Sequence, residues 1–252
     1  MNKEAVKSLL FNMADDALII GHRNSEWTGI GPMLEEDLAF SSMAQDKIGH
    51  AQAYYEMLHE HFGLGTPDQL GFMRKEHEFR SAVFTELPIG EYDFSLVRHF
   101  LFSRADLLRI EMLAASSFQP LAQLAQKIRG EVKYHVMHGD VFLKQLAQGT
   151  EESKARMQSA LNYCMPFAFS LFEPGTADAD LQNDGIFAGE AALEKMWLEQ
   201  VSAFVTAAGL KMPEVKDKTA HYGGRKGLHS EYLKPLLDEM CEVVNSDPGA
   251  EW

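Results

Sequence analysis

Apolar residues recur along this chain at helical spacing, in long segments separated by clusters of glycine and proline near 29–32, 63–67, 88–90, 174–189 and 209–227. The first segment, 3–21, carries Leu9, Leu10, Met13, Leu18 and Ile19 on one side. The second, 33–62, has no proline and a single glycine, Gly49. Segments 93–117 and 119–147 read the same way. The fifth, 150–172, contains Pro166, whose ring and missing N–H predict a break or kink. Two further segments cover 189–208 and 230–245, and only short stretches such as Ser81–Leu87 read as candidate strands. The helical period dominates. It predicts an all-α protein built on four long helices, with additional helices C-terminal to them.

No linker rich in Ser, Gly or Pro divides the 252 residues, so a single domain over 1–252 is expected. The stretch 174–189 reads as a surface excursion. Segments one and two form one helical pair, and segments three and four another. The N-terminus shows no export signal, and no apolar run approaches the ~18 residues of a membrane span. The two cysteines, Cys164 and Cys241, provide no disulfide framework and no zinc spacing, so a cytoplasmic, reducing setting is expected. With 37 acidic against 23 basic residues the net charge is −14, which argues against nucleic acid as a partner. A local basic patch for an anionic ligand remains compatible with it.

Long helical pairs of this kind can hold a di-metal site. The usual ligands are one Glu from each of two helices and Glu-x-x-His from each of the other two. Residues three apart project from one helix face toward the same metal. Segment two has His50 in such a frame, but Lys47 at the Glu position. Segment four has Glu131, but Tyr134 at the His position. At 100° per residue, Met43, Lys47, His50 and Tyr54 all lie within about 40° of Glu36, a mixed strip that implies polar groups drawn into a core. Two readings follow. In one, His50, Glu131 and His135 bind iron with help from Asp46, through the i, i+4 pairs Asp46/His50 and Glu131/His135. In the other, the cage is filled from within: the Lys47 ammonium takes the place of a cation and neutralises Asp15 or Asp16 together with Glu131.

Asp106, Arg109 and Glu111 read as a solvated or interface ion-pair set. His59, His61, His77 and His99 read as surface or packing histidines, and Cys164 as a small buried hydrophobe. The stretch 221–231 joins three glycines to Arg225 and Lys226 and predicts a helix start at Ser230. It serves either as a tight turn packing the last helix or as a contact to a phosphate, such as that of a coenzyme A tail. It lacks the Walker spacing.

Ser25-Glu26-Trp27, Leu34-Glu35-Glu36-Asp37-Leu38-Ala39, Gly49-His50-Ala51 and Gly223-Gly224-Arg225-Lys226-Gly227-Leu228-His229-Ser230-Glu231 resemble the C-subunit family of bacterial phenylacetyl-CoA epoxidases, from about residue 10 to Trp252. The resemblance implies a ferritin-like bundle. It also implies a non-catalytic structural subunit in aerobic phenylacetate degradation, paired with a catalytic A subunit that carries the di-iron centre. Flavin and iron–sulfur groups belong to a separate reductase, so no cofactor is expected in this chain and no catalytic residue carries over. Lys47, His50, Glu131 and Tyr134 are then vestigial ligand positions, and Arg225 and Lys226 are the candidates for a coenzyme A phosphate. Other subunits, self-association and an acyl-CoA are further partners this reading admits. Two alternatives stand beside it: a divergent di-iron oxygenase with its own site, and a ferritin-like binding module that needs no partner.

Overall fold

In the computed structural model, residues 1–247 are described; 248–252, which include Trp252 at the end of the resemblance, lie outside them. The helices are α1 (Lys3–Ser25), α2 (Leu34–Phe62), α3 (Pro67–Phe72), α4 (Val83–Glu86), α5 (Tyr92–Leu113), α6 (Gln119–Ala147), α7 (Glu151–Ala168), α8 (Asp178–Asn183), α9 (Glu190–Ala207), α10 (Leu233–Met240) and α11 (Glu242–Ser246). No strand occurs among the described residues. The fold is an all-α ferritin-like bundle of four long helices, α1, α2, α5 and α6, with further helices after them.

Local chemistry sets the helix ends. The Asn2 side chain caps α1, accepting from the amides of Glu4 and Ala5 at 3.0 and 3.3 Å. Gly63 ends α2 in the left-handed region, where a Cβ is unfavourable. Helix α7 runs through Pro166 and tightens into a 3₁₀ turn at Phe169–Phe172, so the expected disturbance appears three residues later, as a change of helix type.

Helix α1 packs along α2 and α5 along α6, while α7 and α9 cover α5. Fully buried Val6, Leu10 and Ile19 of α1 meet the same apolar core as Leu96, Val97 and Phe100 of α5 and Val132 and Leu143 of α6. Each such side chain contributes about 1.5–3 kcal/mol by leaving water. That core extends to Leu233, Leu236 and Leu237 of α10.

Two expectations are corrected. Ser81–Leu87 is no strand: its amides at Ala82 and Phe84 are taken by Asp16 Oδ1 (2.7 Å) and Ser170 Oγ (3.1 Å), and no neighbouring strand offers a ladder. The stretch 174–189 is not merely a surface excursion, because it contains α8 and buries Leu181, Ile186 and Phe187.

Candidate functional site

The centre of the bundle, where a metal would lie in a ferritin-like protein, is held by four side chains from three helices. Lys47 and His50 come from α2, Asp106 from α5 and His135 from α6. Lys47 is only 3% exposed. Its ammonium pairs with the Asp106 carboxylate, lies 3.5 Å from His50 Nδ1 and sits 5.6 Å from the centre of the Phe102 ring. A buried ammonium is tolerable only with such partners. The counter-ion is therefore Asp106, not Asp15, Asp16 or Glu131. Asp15 is bound by Arg74 and Tyr55, Asp16 by Arg225, and Glu131 by His50. The expected surface set of Asp106, Arg109 and Glu111 is also divided. Asp106 serves Lys47, Arg109 is buried against Glu190, and only Glu111 is exposed.

Proton positions follow from the partners. Lys47 can only donate, so His50 Nδ1 accepts, and its Nε2–H donates to Glu131 Oε2 at 2.8 Å. This is the neutral ring. Burial, reinforced by the Lys47 charge, pushes the His50 pKa down to about 4. Burial likewise lowers His135, against the Asp46 hydrogen bond that works to raise it. For Asp106, burial works upward but Lys47 prevails, and the carboxyl is held below its usual range.

Three histidine–carboxylate rungs bridge α2 and α6. His50 meets Glu131, His135 Nε2 donates to Asp46 Oδ2 at 2.9 Å, and His138 Nε2 donates to Glu36 Oε1 at 2.9 Å. The first two use the residues of the anticipated i, i+4 pairs, but exchange partners between helices. The third, with Tyr92 Oη donating to Glu36 Oε2 at 2.6 Å, was not anticipated. Helical spacing marks Glu36 as inward but gives no hint of a partner 102 positions away. His99 does act as a packing histidine, donating to His135 O at 2.8 Å.

The burial pattern corrects the frame read on α6. Tyr134 is 43% exposed and Glu131 borders solvent, whereas Val132 and His135 are fully buried. One residue is 100° of rotation, so the inward i, i+3 pair is Val132/His135. The inward i, i+3 pairs are thus Lys47/His50 on α2 and Val132/His135 on α6. An ammonium, that of Lys47, stands between the Asp106 carboxylate and His50 in this region. Among the described residues no group of three His, Cys, Asp or Glu is disposed to hold a metal ion. The cavity beside Lys47 has room of about 20 Å³, enough for roughly one water and far too small for an aromatic ring.

The Gly223–Ser230 loop is fixed from below. Arg225 is buried and bidentate on Asp16, at 2.8 and 2.7 Å, and its Nη1 also donates to Arg80 O at 2.6 Å. Its guanidinium therefore points into the protein, away from any phosphate in solvent. Lys226 is the cation that faces out, 63% exposed and 3.5 Å from Glu173. Ser230 does not begin a helix. Its amide and hydroxyl both donate to the buried Glu86 at 2.8 Å, and α10 starts at Leu233. Both cysteines are free and buried, and no helix among the described residues is long and apolar enough to cross a membrane.

Residues 1–252 match the protein family described as phenylacetic acid catabolic protein. The C subunit of 1,2-phenylacetyl-CoA epoxidase from Escherichia coli (strain K12) is 31% identical over 240 residues, which cover 95% of this chain and 96% of that one.

Proposed function

From the premise that the chain belongs to the phenylacetic acid catabolic protein family, we propose that it is the non-catalytic structural subunit of a multicomponent, cytoplasmic phenylacetyl-CoA epoxidase. In this reading it scaffolds the A subunit that carries the di-iron centre. The observation that carries the reading is Lys47: its ammonium, paired with Asp106 and beside His50, stands where the ferritin-like fold would place a metal ligand. The small cavity beside it supports the same conclusion, since it leaves no room for an aryl group. Electron-transfer groups and the metal would then belong to partner subunits. Any contact of this chain with coenzyme A at the Gly223–Ser230 loop would fall to Lys226.

Iron content tests it. After anaerobic Fe(II) loading and desalting, the isolated chain is expected to retain essentially no iron. About two irons per chain would replace the scaffold reading by a catalytic one. Turnover supplies the second check: an A subunit that folds and turns over as well alone as with this chain would remove the scaffold role.

A further inference from the structure

Three buried ion pairs meet around one small cavity. Lys47 of α2 pairs with Asp106 of α5, Arg109 of α5 with Glu190 of α9, and Arg225 with Asp16 of α1 at 2.8 and 2.7 Å. Asp16, Lys47, Asp106 and Arg109 all line the cavity, which has room of about 20 Å³. Tyr54 of α2 and Ala105 of α5 line it too.

Several polar groups beside this space lack a protein partner. Tyr54 is 2% exposed, yet no residue among those described makes a hydrogen bond to its hydroxyl. Burial, then the nearby Asp106 charge, push its pKa well above the usual phenol value against the pull of Arg109, so the hydroxyl keeps its proton and needs an acceptor. Lys47 occupies Asp106 Oδ2, which leaves Oδ1. Glu190 and the Leu171 carbonyl occupy Nη1 and Nη2 of Arg109, which leaves its Nε–H. Buried groups of these kinds are costly without a partner, and native interiors satisfy them with protein atoms or ordered water.

We propose that this cavity is a binding site for one internal water molecule, held by Tyr54, Asp106 and Arg109. Size and charge select the ligand. One water needs about 10–15 Å³ of such room, and a carboxylate, phosphate or ring needs far more. The cations Lys47, Arg109 and Arg225 already balance the acids Asp16, Asp106 and Glu190. An added ion would therefore be a buried charge with no counter-charge. The ligand is neutral and must both accept and donate. Water accepts from Tyr54 Oη–H and Arg109 Nε–H and donates to Asp106 Oδ1. Polar cavities of this kind hold water, whereas apolar ones stay dry. Tyr54 lies on α2, and Asp106 and Arg109 on α5, so the water ties the two helices beside the Lys47–Asp106 pair and joins the charges in one network. The assignment concerns this chain alone and does not depend on the scaffold reading.

A high-resolution crystal structure of the full chain tests the site. A single water-sized density peak is expected within hydrogen-bond reach, about 2.6–3.2 Å, of Tyr54 Oη and Asp106 Oδ1. No density there, or an ion identified by its anomalous scattering, overturns the proposal. In solution, deuteron relaxation dispersion of the solvent counts long-lived internal waters. Ala105→Val adds two methyl groups to the wall of the cavity and is expected to hold one such water fewer than wild type. Tyr54→Phe removes one of the partners and is expected to shorten the residence of that water about five- to tenfold. Thermal unfolding checks that both variants fold. Dispersion unchanged in both variants overturns the proposal, and if Ala105→Val does not fold, Tyr54→Phe decides.

Discussion

At the residue scale, one buried lysine organises the centre of the bundle. Lys47→Met leaves Asp106 ionised and without its partner, and is expected to cost about 3–5 kcal/mol. Lys47→Met combined with Asp106→Leu should recover most of that, because both charges then leave the core. Chemical unfolding of the two variants measures the difference, and a double variant no more stable than Lys47→Met would break the pairing. The histidines add a pH dependence of definite sign. An unfolded imidazole keeps its proton up to about pH 6.5, whereas folded His50 is held to about 4. The unfolded state thus binds more protons between these values, and stability falls as pH drops through that window. His50 by itself accounts for about 3 kcal/mol at the acid end. His135 and His99 are also pushed down by burial and act in the same direction. Unfolding free energies at about pH 7 and pH 4.5 should show the loss, and His50→Gln should reduce it. Equal stability at the two pH values would contradict the neutral rings.

At the scale of elements, the Gly223–Ser230 loop is held by close backbone contacts and by hydrogen bonds to Glu173, Asp16 and Glu86. A Cβ on Gly224 would stand 2.0 Å from Ser81 O. One on Gly227, at φ +79°, would stand 2.2 Å from His77 O. In both cases the obstacle is backbone, which cannot rotate away. Gly224→Ala is expected to cost at least about 2 kcal/mol, because the loop must lift from Ser81. Gly130→Ala, inside α6 with open space around its Cβ, should instead stabilise by about 0.5–1 kcal/mol. Thermal unfolding of the two variants separates packing glycines from merely helical ones. Composition could mark 221–231 as glycine-rich and cationic, but it could not tell Arg225 from Lys226. Side by side in sequence, one turns inward to Asp16 and the other outward to water.

At the scale of the whole molecule, contacts between distant segments hold the C-terminal part to the bundle. Arg225 reaches Asp16 across 209 positions, and His229 reaches Glu86 at 2.7 Å across 143. Arg225→Met strands Asp16 as a buried carboxylate and should cost about 3–5 kcal/mol. Limited proteolysis is expected to cut first in 211–222 of that variant, while Lys226→Met should behave like wild type. The two helical pairs share one apolar core, and across the α2/α6 seam they are joined besides by three polar rungs. This explains why hydrophobic periodicity revealed the pairs but not the way they join.

Much of this protein was written in the order of its residues. Helical spacing and glycine–proline punctuation determined the long helices, because a buried face must repeat every 3.6 residues and a helix must stop where its backbone cannot continue. The same spacing placed Lys47 and His50 inward. Only the tertiary structure decided Asp106 as the counter-ion of Lys47, the crossed pairing of Asp46 with His135 and of His50 with Glu131, and Val132/His135 rather than Glu131/Tyr134 as the inward pair. Those choices depend on the rotation of α6 about its own axis, where one residue is 100°, and on which charge lies nearest in a medium that screens little. Neither quantity is local to a segment of chain.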